Sequence, residues 1–437
     1  MSTATPRRLR RPVAVSVAVM SAAALLLSAC SGGGGSATKE PTKFTYTKNT
    51  ENTTIEPILN VLKDNECKSA QTALPLEINS VPQATIDAKM STLASQNALP
   101  VAFADGGNPA EGAKLAKAGK LVDFSAEMKK LGVLDNVEPA AISTIEKLYG
   151  GKFNFLPFQF NIEGIFYNKK IFADNGIDVP TTWDALLTDA ADLKAKGIIP
   201  FSASGQQGWP LTRLISGYIY RSLGPDALQA VADGKAKLTD PEYVKAAQQI
   251  ADLGKLGYFG DNVASLDYDG ATNQFLQGQS AMIYMGSWLL ANINDTKQNK
   301  IGVDTVGFMP FPAVTGGKGS IDQYPANVGL PQTFSSASYT PKVADWLKCI
   351  TQNFGTEALK QGQITGFKDD GSVTNLSAIT QTVKDKISTS KVSVLWFEAL
   401  FNAKASSDSS TNAALLVTGQ MSAQDFMTKV QTDLDNG

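Results

Sequence analysis

From Lys43 onward, short apolar runs alternate with amphipathic stretches, and this alternation constrains the fold more than any other feature of the chain. Phe44-Thr45-Tyr46-Thr47 reads as a strand, and Ile55, Ile58, Leu59 and Leu62 then recur at the spacing of one helical face. Residues 74–80 read as a second strand, 86–93 as a helix, and Val101-Ala102-Phe103-Ala104 as a third strand. A helix over 113–118 follows, ended by Gly119. Such a βαβαβα opening predicts an α/β protein with a parallel sheet covered by helices on both faces, whose ligands bind beyond the carboxyl ends of the strands.

The pattern continues through Ile165-Phe166-Tyr167 and a strand over 198–202. Between them, Thr181 and Asp184 are spaced as a capping box ahead of Leu186, Leu187 and Ala190. Val343, Trp346, Leu347, Ile350 and Phe354 form a later helical stripe, and Ala423, Phe426, Met427, Val430 and Leu434 the last. At 437 residues, 43% hydrophobic and 18% charged, the chain fits a globular body of about two domains.

Histidine is absent from all 437 positions, which removes Ser-His-Asp and Cys-His catalysis and every His-ligated metal site. Of 39 basic residues, Arg7, Arg8, Arg10 and Arg11 crowd the start; without them 35 basic face 41 acidic residues, so no basic surface is expected for nucleic acid. The glycine-rich Gly316-Gly317-Lys318-Gly319-Ser320 lacks phosphate-loop spacing and reads as a surface turn. Asp267 with Asp269, and Asp105 with Glu111, read as solvated loop charges rather than an acid/base pair.

The four arginines precede an uncharged run over 13–29 and then Cys30. A charged start, an apolar stretch and small residues before the break describe an export signal over 1–29, too short for a comfortable bilayer span. Leu27-Ser28-Ala29-Cys30 resembles the bacterial lipobox, which implies that Cys30 is lipidated; Arg7-Arg8 leave the general and twin-arginine routes both open. Ser31-Gly32-Gly33-Gly34-Gly35-Ser36 then forms a flexible tether, so residues 30–42 act as a leash holding the body at the outer face of the cytoplasmic membrane. Cys67 and Cys349 remain, and an even count in an exported chain favours one disulfide over two buried thiols.

Trp183 and Trp346 lie on apolar helical faces and read as core. Trp209, Trp288 and Trp396 instead follow strand-like runs or lie among polar residues, where an indole face can stack on the C–H face of a sugar ring.

Leu156-Pro157-Phe158, Tyr167-Asn168-Lys169-Lys170-Ile171-Phe172 and Val179-Pro180-Thr181-Thr182-Trp183 resemble the extracellular solute-binding proteins of sugar-importing ABC transporters. The resemblance continues through Phe275-Leu276-Gln277-Gly278-Gln279-Ser280-Ala281-Met282, Gly286-Ser287-Trp288, Val306-Gly307-Phe308-Met309-Pro310-Phe311-Pro312 and, more loosely, Leu416-Val417-Thr418-Gly419-Gln420-Met421-Ser422-Ala423. The chain departs from the family pattern at Leu99-Pro100-Val101-Ala102-Phe103, where an acidic Pro-Asp-Val is usual, which shifts the alignment around Asp105 by a residue or two, and over 47–54, where no first-strand ligand is assigned.

The resemblance implies a two-lobed periplasmic-binding-protein-like fold of type II, maltose-binding-protein-like, with a ligand cleft between lobes and several hinge crossings. The N-terminal lobe would comprise 43–157 and 304–367, and the C-terminal lobe 158–303 and 368–437, placing Cys67 and Cys349 in one lobe. It implies stacking by Trp209, Trp288 and Trp396 and polar contacts from Asp105, Asn161, Glu163 and Gln206. Function would be capture of a sugar or oligosaccharide and delivery to the permease subunits, by a monomer with no cofactor, no metal and no catalysis. The competing readings are an adhesion or sensing lipoprotein and a histidine-free carboxylate glycosidase, which needs two carboxyl groups facing each other across a scissile bond. In the importer reading, ligand drives closure only through contacts to both lobes at once.

Overall fold

The computed structural model describes residues 40–436 except 51, 53, 107, 108, 391 and 392. The export segment 1–29, Cys30 and the tether as far as Lys39 lie outside the described residues. The strands in chain order are β1 Phe44–Asn49, β2 Leu76–Val81, β3 Ala102–Ala104, β4 Asn161–Asn168, β5 Ile199–Ser202, β6 Ser280–Gly286, β7 Val306–Met309, β8 Ala326–Asn327 and β9 Gln332–Phe334.

They form two sheets. The first has the order β2-β1-β3-β9, with β1 parallel to both β2 and β3 and only β9 antiparallel. The helix Ile55–Asp64 buries the anticipated Ile55, Ile58, Leu59 and Leu62 beneath it, and the helix Pro341–Lys360 buries Val343, Trp346, Leu347, Ile350 and Phe354. Trp346 is a core residue, its indole N–H donating to the Leu74 carbonyl at 2.8 Å.

The second sheet has the order β5-β6-β4-β7, with β8 on β4. It corrects the expectation of parallel strands throughout: only β5 and β6 are parallel, because β4 runs antiparallel to β6, β7 and β8. A second apolar core gathers Trp183 with Tyr218 and Phe311 under this sheet, together with Phe426, Met427 and Val430 from the last helix, Ala423–Asp435. The helix beginning at Trp183 is capped by Thr182, whose hydroxyl accepts from Ala185 N at 3.2 Å, one residue later than the sequence spacing suggested. Asp184 instead accepts from the Thr315 hydroxyl at 2.9 Å, so no reciprocal capping box forms.

The chain passes between the sheets along neighbouring segments. Leu156 and Gln332 exchange backbone hydrogen bonds, Asn161 pairs with Asn327 and Ile162 with Ala326, so segments 156–162 and 326–332 run antiparallel side by side. A further passage is held by Gly366 N on the Pro157 carbonyl at 2.9 Å and Lys368 N on that of Asn136 at 2.7 Å. Because β7 pairs with β4, the return to the first sheet comes through 326–332 rather than at residue 304. The apolar run around Val306 could not reveal which sheet it joins.

Cys67 and Cys349 are joined by a disulfide, with Cα atoms 5.6 Å apart, between the residue that precedes the helix Lys68–Ala73 and the helix Pro341–Lys360. Gly316 to Ser320 form a turn against the end of the helix Trp209–Leu223, where Gly319 N donates to the Arg221 carbonyl at 3.1 Å. A Cβ at Gly319 would come within 2.1 Å of the Tyr220 carbonyl oxygen, which explains the glycine by close approach rather than phosphate binding. Among the described residues, no helix is long and apolar enough to cross a membrane.

Candidate functional site

Trp209 opens the helix Trp209–Leu223, and Arg213 lies one turn on, so both side chains leave the same face. Trp288 follows β6 in the short 3₁₀ turn Ser287–Leu289, and Trp396 follows the segment 393–395 that pairs with Pro325. These separate elements converge. The Trp209 and Trp288 rings lie 5.9 Å apart edge to face, Tyr268 is 6.1 Å from Trp209, and the Arg213 guanidinium carbon is 5.0 Å from the Trp209 ring centre and 5.2 Å from that of Trp396. The cation is thus shared by two indole faces, and all three tryptophans remain partly exposed.

The Trp288 indole ring packs closely against Gly286. A Cβ at that position would come within 1.9 Å of the ring, so only glycine permits this pose. Gly286 also registers with Glu163 across β4 and β6, which ties the indole to the buried carboxylate.

Arg213 Nη1 donates to Glu163 Oε1, and its Nε to Glu398 Oε1 at 3.5 Å. The Thr212 hydroxyl bonds Glu398 Oε2 at 3.2 Å. From Glu163 a polar chain runs outward: Asn327 Nδ2 donates to Glu163 Oε1 at 3.4 Å, Asn161 Nδ2 to Asn327 Oδ1 at 3.4 Å, and the Ser287 hydroxyl to Asn161 Oδ1 at 3.1 Å. Glu163 is 1% exposed, and burial pushes its carboxyl above the usual range although Arg213 pulls it back. For Arg213 burial favours the neutral form, but Glu163 and then Glu398 outweigh it and hold the guanidinium charged. Glu163 and Glu398 thus both engage the single Arg213 guanidinium.

Beside Trp288 opens a cavity of about 440 Å³, within the range of small-molecule sites. It is lined from the first sheet's side by Thr54 and residues 361–364, from the second by Ser287, Trp288, Ala291, Asn294 and Asp295, and from the crossing by Gln159 and Asn161. Gln159 Nε2 donates to the Thr54 hydroxyl at 3.4 Å, and Asn52 Nδ2 to Gln159 Oε1 at 3.5 Å. Donors and acceptors from both sides thus face one space.

Of the residues singled out from sequence, Trp209, Trp288, Trp396, Asn161 and Glu163 belong to the linked cluster around Arg213, and of these Trp288 and Asn161 line the cavity. Asp105 lies elsewhere, at the end of β3, buried and accepting from the Tyr149 hydroxyl, in a small recess with Asp87 and Phe155. Burial and then the Asp105 charge push that phenol well above its ordinary value, so it stays a donor. Gln206 is exposed on the loop before Trp209, and Asp267 caps the helix Tyr268–Leu276 by accepting from Gly270 N at 2.7 Å. Sequence reasoning missed Arg213, Glu398, Tyr268, Asn327 and Gln159. Only Arg213 carried a signal, as a cation one turn after a tryptophan.

A family model described as bacterial extracellular solute-binding protein matches residues 71–353. The chain belongs to this family. The multiple sugar-binding protein of Streptococcus mutans is 31% identical to this solute-binding protein over 173 residues, 38% of this chain and 39% of that one. The sn-glycerol-3-phosphate-binding periplasmic protein of Yersinia pestis is 29% identical over 211 residues, 45% of each chain. The chain thus spans less than half the length of these curated relatives. A solved chitin oligosaccharide binding protein superposes with a TM-score of 0.72 at 26% identity, covering 91% of this chain and 98% of that structure. The periplasmic-binding-protein fold follows, the family is one of binding proteins, and its extracellular designation fits a place outside the cytoplasm.

Proposed function

We propose that this solute-binding protein captures a sugar or oligosaccharide outside the cell and hands it to the permease subunits of an ABC importer, without altering it covalently. The observation that carries the reading is the clustering of Trp209, Trp288 and Trp396, with Trp288 lining a cavity that amides and hydroxyls share. Flat apolar faces suit sugar rings, and amide groups suit their hydroxyls. In this reading Trp288, Asn161 and Gln159 contact the ligand directly, while Glu163 and Arg213 hold the indoles in place. Asp105 and Gln206 join only if the lobes move relative to one another on binding.

The lobes would be 43–157 with the segment returning through 326–332 to 367, and 158–325 with 368–437, closing as a hinge when ligand bridges them. A monomer is lipidated at Cys30 and tethered to the outer face of the cytoplasmic membrane. Cys30→Ser should move the protein from the membrane fraction to the medium.

A thermal-shift screen of mono-, di- and oligosaccharides, with amino acids and polyamines as controls, tests the reading. Stoichiometric binding without product supports it. Catalytic turnover of an oligosaccharide, or stabilisation by an amino acid or polyamine and by no sugar, overturns it.

A further inference from the structure

We propose that Thr144 and Lys147 are positioning residues for Trp396: one face of the helix Pro139–Leu148 grips the segment that carries this indole. The proposal rests on the stacking role given to Trp396 in the carbohydrate reading and adds the part of the chain that sets where the ring stands.

Ala140, Thr144 and Lys147 recur at the i, i+4, i+7 spacing of one helical face, and all three meet Ser393. The Thr144 hydroxyl donates its one hydrogen to the Ala140 carbonyl at 2.8 Å, which leaves its oxygen to accept from the Ser393 hydroxyl. The Ser393 hydroxyl also lies 3.4 Å from the Ala140 carbonyl oxygen. Lys147 Nζ donates to the main-chain carbonyl of Ser393 at 2.9 Å. Side chain and main chain of one residue are thus held by one helix.

The strengths of these contacts differ. Thr144 and Ser393 are both buried, so removing either hydroxyl leaves its partner unsatisfied. The bond from the Lys147 ammonium is charge-assisted, whereas its pairing with Asp226 at 3.8 Å involves a carboxylate that is 80% exposed and is weak. The grip therefore acts on Ser393. On the other side of the segment, Val394 N donates to the Tyr324 carbonyl at 3.1 Å, and the Val394 carbonyl accepts from Ala326 N at 2.9 Å. Trp396 follows two residues later and shares a recess of about 60 Å³ with Lys147. In the two-lobe reading the helix belongs to the N-terminal lobe and residues 393–398 to the C-terminal one. A hinge movement that shifts the helix then reaches Trp396 through Ser393.

Fluorine NMR of the protein labelled with 5-fluorotryptophan tests this in the absence of any sugar. The chain has five tryptophans, and each signal is assigned by replacing one of them with Phe. The variants are Lys147→Met, in the last turn of its helix, and Thr144→Val, which keeps the side-chain shape and removes only the hydroxyl. The Trp396 signal should move or broaden in both, while those of Trp183 and Trp346, in the two apolar cores, stay in place. A Trp396 signal unmoved in either variant overturns the proposal; unmoved in Thr144→Val alone, it leaves Lys147 acting by nearness to the ring and not through Ser393. Movement of all five signals also overturns it, because the substitutions would then be repacking the whole body. The carbohydrate reading stands or falls on the sugar screen and is untouched by each of these results.

Discussion

The Arg213 guanidinium carbon stands 5.0 Å from the centre of the Trp209 ring, one helical turn along the same helix, and 5.2 Å from the centre of the Trp396 ring. The arrangement couples a buried charge to two of the indoles proposed to grip the ligand. Replacing Arg213 by Met keeps the apolar stem but strands Glu163 without its cation. Removing one member of a buried ion pair costs about 3–5 kcal/mol. Urea unfolding of Arg213→Met at neutral pH should show a loss of that order, and a loss below about 1 kcal/mol would mean that Glu163 is better solvated than its 1% exposure implies.

Glu163 also gives the site a pH signature. Its carboxyl is raised by burial above the unfolded value, so its favourable contribution is complete below about pH 4.3, the ordinary glutamate value, and fades as pH rises through the folded one. The stability difference between wild type and Glu163→Gln should therefore shift in favour of wild type as pH falls toward 4.3. In Arg213→Met the same dependence should steepen, because the lost cation was what opposed the shift. Parallel pH–stability curves for wild type and Glu163→Gln would contradict this.

Gly286 offers a test of indole placement that leaves every tryptophan intact. A methyl group there would collide with the Trp288 ring at 1.9 Å, and the flexible partner in that contact is the indole itself. Gly286→Ala should displace Trp288 and reduce ligand affinity by at least tenfold, at a stability cost of about 1–3 kcal/mol. Unchanged affinity would separate the pose of Trp288 from binding.

The disulfide closes a loop with a sequence separation of 282 within the first core. Cys67→Ser with Cys349→Ser should lower unfolding stability by about 2–5 kcal/mol, measured by denaturant titration. Ligand stoichiometry should survive, since neither cysteine lines the cavity beside Trp288.

The helices Ile55–Asp64 and Pro341–Lys360 were legible in the chain because each buries a single apolar face: Ile55, Ile58, Leu59 and Leu62 needed no tertiary information. The second sheet was not, because β4 is buried along most of its length, and a continuous apolar run says nothing about strand direction. Likewise Val306–Met309 reads as a strand from its residues, but only pairing with β4 assigns it to a sheet. At the site, tryptophans in polar surroundings stood out one by one. Arg213 and Glu398 did not, because a buried charge is recognisable only once its partner, 185 positions away, is brought beside it.

The account stands most directly on Trp288, the residue shared by the aromatic cluster and the cavity. Isothermal titration of wild type and Trp288→Ala with the best sugar from the screen measures its role. The variant should keep the wild-type unfolding midpoint within a few degrees while its affinity falls by about 100-fold, a loss of about 2.7 kcal/mol typical of a dominant contact residue. A dissociation constant equal to that of wild type would contradict the account.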